Sequence, residues 1–299
     1  EYIGTGVHEM TICVSNVGYK TKGGHLTSPD TQTNWNGITG RIELIGYKNA
    51  HAENVMLWCD IHNKTVRVTA NITGGKSGKA VISAESFNSE RSHTPEVQSF
   101  EYTNGKLDAL YKMGDDCLLW SEHEPNLYKL KIDIDGDVSE HIIGMREFRT
   151  EGEKFTINGE KTFLRGKHDG MIFPKTAFAP TDLEEWLRIM KISKSYGMNH
   201  YRYHTCCPPE AAFVAADMLG IYMEPQLPFW GTITEEGEEN HNQEEQYFLV
   251  EEGFNMLKFF GNHPSYCMMS MGNELWGSKK ILNDIIGGYK KFDNRHLYT

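Results

Sequence analysis

Hydrophobic positions change their spacing once along this chain, close to Phe148. Before that point apolar and polar residues alternate in short runs, the period of a half-buried strand. Beyond it they recur every three to four residues in longer segments, and compact apolar runs separate those segments. That is the pattern of helices laid over a buried sheet. Residues 7–14 (Val7-His8-Glu9-Met10-Thr11-Ile12-Cys13-Val14) and 40–45 alternate and predict two strands around a loop with Gly18, Gly23 and Gly24. Two or three strands do not make an independent sheet, so this part reads as the end of a β-domain. Between 45 and 150, strands are predicted over 54–59, 64–71, 78–85 and 127–133. The pairs Gly74-Gly75, Asn104-Gly105 and Asp135-Gly136 supply the turns. Short strands at this spacing predict an antiparallel sandwich.

After Phe148 the elements alternate. Asn158-Gly159 marks a hairpin and 162–166 a short strand. Thr181-Asp182-Leu183-Glu184 has the form of a capping box, and Leu183, Trp186, Leu187 and Met190 then share one helical face up to a stop at Gly197. A strand over 199–203 precedes a helix that opens at Pro208-Pro209 and ends at Gly220. A strand over 221–224, a loop rich in Glu and Gly, and a helix over 245–260 follow. Next come the apolar run 266–271, read as a buried strand, a helix over 279–289 and the start of a further strand at 295–299. Four β-α units in succession predict a parallel sheet compatible with a barrel, which needs eight.

Composition narrows the partners. The 299 residues are 24% charged and carry a formal net charge of −11, with no basic patch, so no nucleic-acid partner is expected. No stretch of ~18 apolar residues offers a membrane span. No signal sequence is visible, and a periplasmic or extracellular setting is favoured over the cytoplasm. The six cysteines are scattered; Cys13, Cys59 and Cys267 lie in apolar runs and are expected as buried thiols. His204-x-Cys206-Cys207 lacks usual zinc spacing, so neither metal nor cofactor is expected. Trp120, followed by Glu124-Pro125-Asn126-Leu127-Tyr128, reads as a core aromatic at a sandwich edge rather than a ligand platform.

Candidate chemistry gathers after the predicted parallel strands. Arg165, Lys167, His168 and Asp169 follow the first; Arg202 and His204 the second. Glu224 ends the third, with Trp230 soon after, and Asn273, Glu274 and Trp276 follow the fourth. Each alone reads as a structural residue. Parallel strands, however, open their C-terminal ends on one face, and carboxylates, an amide, imidazoles, a guanidinium and indoles together suit a sugar. Locally, Glu274 is equally a helix cap and a catalytic acid.

Further motifs run through the chain in order: Asn34-Trp35-Asn36-Gly37-Ile38-Thr39-Gly40-Arg41, Pro125-Asn126-Leu127-Tyr128 and Gly144-Met145-Arg146-Glu147-Phe148. They continue with Ile157-Asn158-Gly159, Phe163-Leu164-Arg165-Gly166, Arg202-Tyr203-His204 and Asp217-Met218-Leu219-Gly220-Ile221-Tyr222. Asn262-His263-Pro264-Ser265 leading to Gly272-Asn273-Glu274 closes the series. With these, residues 30–299 resemble glycoside hydrolase family 2, the β-galactosidase and β-glucuronidase family. The resemblance implies a multidomain β plus α/β chain. Its parts are the end of a jelly-roll sugar-binding domain (1–44), an immunoglobulin-like β-sandwich (45–150) and the first half of a TIM (β/α)8 barrel (151–299).

The resemblance also implies roles. Glu274 would be the general acid/base of a retaining, exo-acting β-glycosidase, β-galactosidase-like, and Asn273 would bind the sugar 2-hydroxyl. Arg202, His204 and His168 would line the sugar subsite. Glu224 would orient or bind, and Trp230 and Trp276 serve as ring platforms by placement. A retaining mechanism takes a second carboxylate ~5–5.5 Å from the first. The family draws it from a later barrel strand, so it is expected beyond Thr299 and this chain alone is expected to be inactive. The partner implied is an oligo- or polysaccharide, with homo-oligomerisation left open. Leu275-Trp276 departs from the commoner small or acidic residue after the Glu and puts a lactose-type specificity in doubt. A β-glucuronidase, another β-glycosidase of the family, or a non-catalytic carbohydrate-binding relative are the alternatives.

Overall fold

The computed structural model describes residues 4–15, 17–21, 23–31 and 37–299. Asn34-Trp35-Asn36 of the first quoted motif lies outside the described residues. Seven antiparallel strands follow the N-terminal segment. They are β1 (His51–Asp60), β2 (Thr65–Thr73), β3 (Ser77–Phe87), β4 (Gln98–Thr103), β5 (Lys106–Lys112), β6 (Leu127–Ile134) and β7 (Asp137–Ile143), in the order β1-β2-β5-β4-β3-β6-β7. The β4–β5 hairpin joins at the single pair Thr103↔Lys106, so β1-β2-β5 and β4-β3-β6-β7 behave as two leaves. Their inner faces share one core: Leu57, Val66, Val68, Ala70, Leu107 and Tyr111 from one, Ala80, Ile82, Leu130, Ile132 and Ile134 from the other. β5, which the sequence reading did not single out, alternates strictly, with buried Leu107, Ala109 and Tyr111 between exposed neighbours. The turns fall where expected: Asn104 and Gly105, and Asp135 and Gly136, all take positive φ, as a two-residue hairpin turn requires.

A three-stranded antiparallel sheet, β8 (Phe148–Glu151), β9 (Lys154–Ile157) and β10 (Glu160–Thr162), leads into the second region. There β11 (Gly166–Asp169), α1 (Leu183–Ser195), β12 (His200–Tyr203), α2 (Glu210–Leu219) and β13 (Tyr222–Glu224) come in turn. They are followed by β14 (Trp230–Ile233), α3 (Gln243–Phe260), β15 (Met268–Met269), β16 (Asn273–Gly277), α4 (Lys279–Phe292) and β17 (Leu297–Tyr298). β11, β12 and β13 pair in parallel. Parallel bridges Met223↔Tyr266 and Gln226↔Ser270 bring the β15 segment alongside β13, and β15 pairs in parallel with β17. Five parallel strands thus stand side by side in chain order with α1 to α4 between them, matching the expected β-α succession. Trp186, Met190, Tyr201, Tyr203, Phe213 and Tyr266 fill the core between strands and helices.

Several expectations are corrected. Residues 7–14 and 40–45 form no strand; their backbones find no partner ladder, and most of their side chains are exposed. Cys13 is therefore exposed rather than buried, whereas Cys267 is buried and Cys59 half-buried. The helix cap is Asp182, not Thr181: its side chain accepts from Glu185 N at 2.9 Å. The first parallel strand covers Gly166–Asp169 rather than 162–166. Of the apolar run 266–271 only Met268–Met269 is laddered, although the whole run is buried. Glu274 lies inside a strand, β16, rather than just beyond one. Trp120 is a core aromatic, fully buried, with Nε1 donating to Asp217 O at 2.8 Å.

Candidate active site

Parallel pairing puts register partners on the same face of a sheet. His168 pairs with Arg202, and Arg202 with Glu224. Three residues singled out in the sequence thus form one row across β11, β12 and β13. The alternate residues Tyr201 and Tyr203 point the other way, into the core beneath the helices. The row continues to the fourth unit through a hydrogen bond: Arg202 Nη2 donates to Asn273 Oδ1 at 2.8 Å. A guanidinium held by an amide fixes both side chains, and Asn273 N is itself held by Phe229 O at 3.0 Å.

Asn273 and Glu274 sit on a ribbon that the sequence pattern did not reveal. β14 and β16 pair in parallel, Trp230↔Asn273 and Thr232↔Trp276, so β16 spends one residue more than β14 between those pairs. The extra residue makes a bulge at Glu274, whose φ is +49°. Bulges of this kind re-aim a side chain, and a non-glycine residue in the left-handed region carries a conformational cost. Gly272 is required just before it: φ is +136°, and a Cβ there would stand 2.2 Å from Phe229 O. The Glu274 side chain is exposed, and so is Trp276, at 72%.

Three imidazoles and an indole cluster beside this row. His168 and His204 lie 5.0 Å apart ring to ring, His204 lies 5.8 Å from Trp230, and His25 lies 5.0 Å from His204. Burial pushes His204 down to about 4, helped by the neighbouring His25, His168 and Arg202. Burial and then His168 lower His25 as well. Both rings are therefore neutral at pH 7 and can donate and accept one hydrogen bond each. His204 is positioned through its backbone N, which donates to Asp169 O at 2.8 Å, while Asp169 Oδ1 accepts from Met171 N at 2.8 Å and caps the turn after β11.

The remaining candidates divide. Lys167 Nζ is taken up by Asp169 Oδ2 at 3.0 Å, and Arg165 by Glu122 Oε2 at 2.6 Å, well away from the row. Glu224 shares the row, but its carboxylate turns toward His200, with Oε2 3.3 Å from Nε2. Trp276 makes no ring contact among the described residues. His25 was missed by sequence reasoning; a lone histidine after Gly23-Gly24 carries no motif, and only the tertiary structure brings it here. Among the described residues no three His, Cys, Asp or Glu side chains are placed to hold a metal ion.

Known proteins resemble this chain in sequence and in fold. Residues 50–146, the seven-stranded region, match the family model described as glycosyl hydrolases family 2. A putative β-glucuronidase from Formosa agariphila is 26% identical over 73% of this chain and 24% of its own length. The β-galactosidase large subunit of Lactobacillus acidophilus is 24% identical over 88% of this chain and 44% of its own. This chain thus spans between about a quarter and under half of the curated relatives it matches. Among solved structures, a glycosyl hydrolase family 2 member from Bacteroides cellulosilyticus superposes with TM-score 0.64 at 21% identity, over 83% of this chain and 35% of that one. A Parabacteroides merdae β-glucuronidase gives 0.62 at 16% identity, over 84% and 33%. The matched region, the curated relatives and the shared fold all liken this chain to glycosyl hydrolase family 2.

Proposed function

We propose that this chain carries the acid/base half of a retaining, exo-acting β-glycosidase site, β-galactosidase-like in its substrate. The observation that carries the reading is the row His168–Arg202–Glu224 joined through Arg202 to Asn273, because it ties the residue just before Glu274 to donors suited to sugar hydroxyls. In this reading residues 1–44 end a jelly-roll domain, 45–150 are an immunoglobulin-like sandwich, and 151–299 are the first half of a TIM barrel. The five parallel strands in chain order support the last of these.

Glu274 acts as the general acid that protonates the glycosidic oxygen, then as the base that activates water. Its exposure on a bulge suits a group that must meet both substrate and solvent. Asn273, fixed by Arg202, binds the 2-hydroxyl, a contact that strengthens as the ring flattens toward the oxocarbenium-like transition state. His168 and His204, the latter a neutral imidazole, read further hydroxyls, and Trp230 faces the ring. Glu224 turns to His200 and does not stand as the second carboxylate, so the nucleophile comes from outside these residues. A β-glucuronidase is the second reading, favoured by the Formosa agariphila relative.

A panel of aryl β-glycosides tests this. The enzyme that includes this chain together with its nucleophile is expected to hydrolyse the β-galactoside fastest, and residues 1–299 alone to turn over none. Turnover by the isolated chain would overturn the division of the site, and a β-glucuronide preference would select the second reading.

A further inference from the structure

The N-terminal segment ends its path against the open face of the parallel strands. Trp230 N donates to Gly23 O, His25 N donates to Thr205 Oγ1 at 2.7 Å, and Thr31 Oγ1 donates to His25 O at 2.7 Å. Thr205 is itself buried and held, with its N donating to Gln226 Oε1 at 2.9 Å. These bonds fix the backbone of His25 on both sides and carry its ring between His168, His204 and Trp230, at 6.4, 5.0 and 6.2 Å.

The ring is not there to complete a polar network. Among the described residues its buried Nδ1 finds no hydrogen-bond partner. A buried orphan N–H costs more than a buried orphan acceptor, so the single proton of the neutral imidazole belongs on Nε2. That atom lies beside Gly170, where a Cβ would stand only 2.8 Å away. The glycine keeps the space that the ring occupies. A hydroxyl-bearing ligand would give an acceptor to this N–H donor, which a distant segment brings beside His168, His204 and Trp230.

We propose that His25 is a substrate-binding residue: its Nε2–H donates to an oxygen of the bound glycoside, and the 23–31 segment forms one wall of the sugar site. The inference rests on the carbohydrate reading above and adds to it a residue from outside the β/α region. It makes recognition depend on the N-terminal segment as well as on the strand ends.

The test is binding to the full chain, with two hydrolysis-resistant probes, isopropyl β-D-thiogalactoside and phenyl β-D-thioglucuronide, followed by calorimetry or saturation-transfer NMR. Wild type is expected to bind at least one. His25→Phe keeps the ring shape without the donor and is expected to weaken that binding about tenfold, the loss of roughly one hydrogen bond. Gly170→Ala, which leaves His25 in place but pushes its ring, is expected to weaken it similarly. His25→Gln, which restores an N–H donor, is expected to recover part of the affinity, and melting temperatures are expected to stay close to wild type. Unchanged affinity in His25→Phe would overturn this proposal and leave the carbohydrate reading standing. Failure of wild type to bind either probe would overturn both.

Discussion

Asn262-His263-Pro264-Ser265 and Gly272-Asn273-Glu274 flank a single buried run, and they use polar groups in opposite ways. At the first, the polar side chains are tied to neighbours. Asn262 Oδ1 accepts from Leu57 N at 3.0 Å, and its Nδ2 donates to Val55 O at 2.8 Å, across the irregularity in β1 between Glu53 and Met56. Arg295 Nη1 donates to the same Oδ1 at 2.7 Å and to Leu57 O at 2.8 Å. Asp217, buried, accepts from His263 Nδ1 at 2.6 Å and from Ser265 N at 3.0 Å. Arg146 donates to the carbonyls of Pro264, Tyr266 and Arg295 at 3.0, 2.7 and 2.8 Å. This end clasps the seven-stranded sheet to the β/α region.

The second end spends its geometry on exposure. Gly272 and the bulge at Glu274 bring a carboxylate out to solvent, and only Asn273 is tied down. A fully satisfied buried network stabilises and rigidifies; a strained, open carboxylate is available to a ligand. The two ends of the stretch therefore separate holding the fold from presenting a reactive group, and substitutions at each should fail in different assays.

The largest expected effect is at the open end. In the enzyme containing this chain and its nucleophile, Glu274→Gln is expected to slow hydrolysis of poorly activated β-glycosides by about 10³-fold, within the range for general acid/base catalysis. It should barely touch aryl glycosides with good leaving groups in their first step. Stability is expected to stay within about 0.5 kcal/mol of wild type, as for an exposed side chain. Steady-state kinetics beside a thermal melt check both, and wild-type rates on alkyl glycosides would remove Glu274 from its role.

The clasp should give the reverse result. Asp217→Ala leaves the Ser265 amide and the His263 ring without their acceptor in a buried setting, and is expected to cost about 3 kcal/mol. Denaturant unfolding measures this. A loss below about 1 kcal/mol would mean that the clasp is not a stabilising network.

How much of this was legible in sequence follows from the same contrast. The turn pairs Asn104-Gly105 and Asp135-Gly136, the alternation along β2 and β6 and the succession of β and α elements are local signals, and they placed many elements, although β4, β5 and β7 went unread. The strands expected over 7–14 and 40–45 had the right alternation, but a strand exists only with a ladder partner, which a local pattern cannot guarantee. The row of His168, Arg202 and Glu224 was readable because parallel strands align their ends. The β14–β16 ribbon was not, since its register depends on a bulge whose residue, Glu274, is no glycine. His25 was silent for a different reason: its place is fixed by Thr205 and Trp230, both far away in sequence. Asn262-His263-Pro264-Ser265 stood out as a family mark, while its physical role, satisfying the backbone of an irregular β1, needed the tertiary structure.

The smallest effect expected concerns the imidazole cluster, and its sign can be worked out. His204 sits at about 4 in the folded chain, chiefly through burial and then through His25, His168 and Arg202, against about 6.5 for an unperturbed histidine. The unfolded chain therefore takes up a proton at this residue as pH falls through 6.5, while the folded chain resists until near 4. Its contribution to stability is complete above about pH 6.5 and is lost progressively on acidification toward 4. His25, lowered in the same direction, adds to the slope. The ring is partly open to solvent, which mutes the size of the effect. Melting temperature measured from pH 7.5 to 4.5 is expected to fall, and to fall less steeply in His204→Gln, which removes the titrating group but keeps a polar side chain. An identical slope in the two proteins would show that His204 carries no proton-linked stability, and that the difference between the two ends of the stretch is one of exposure alone.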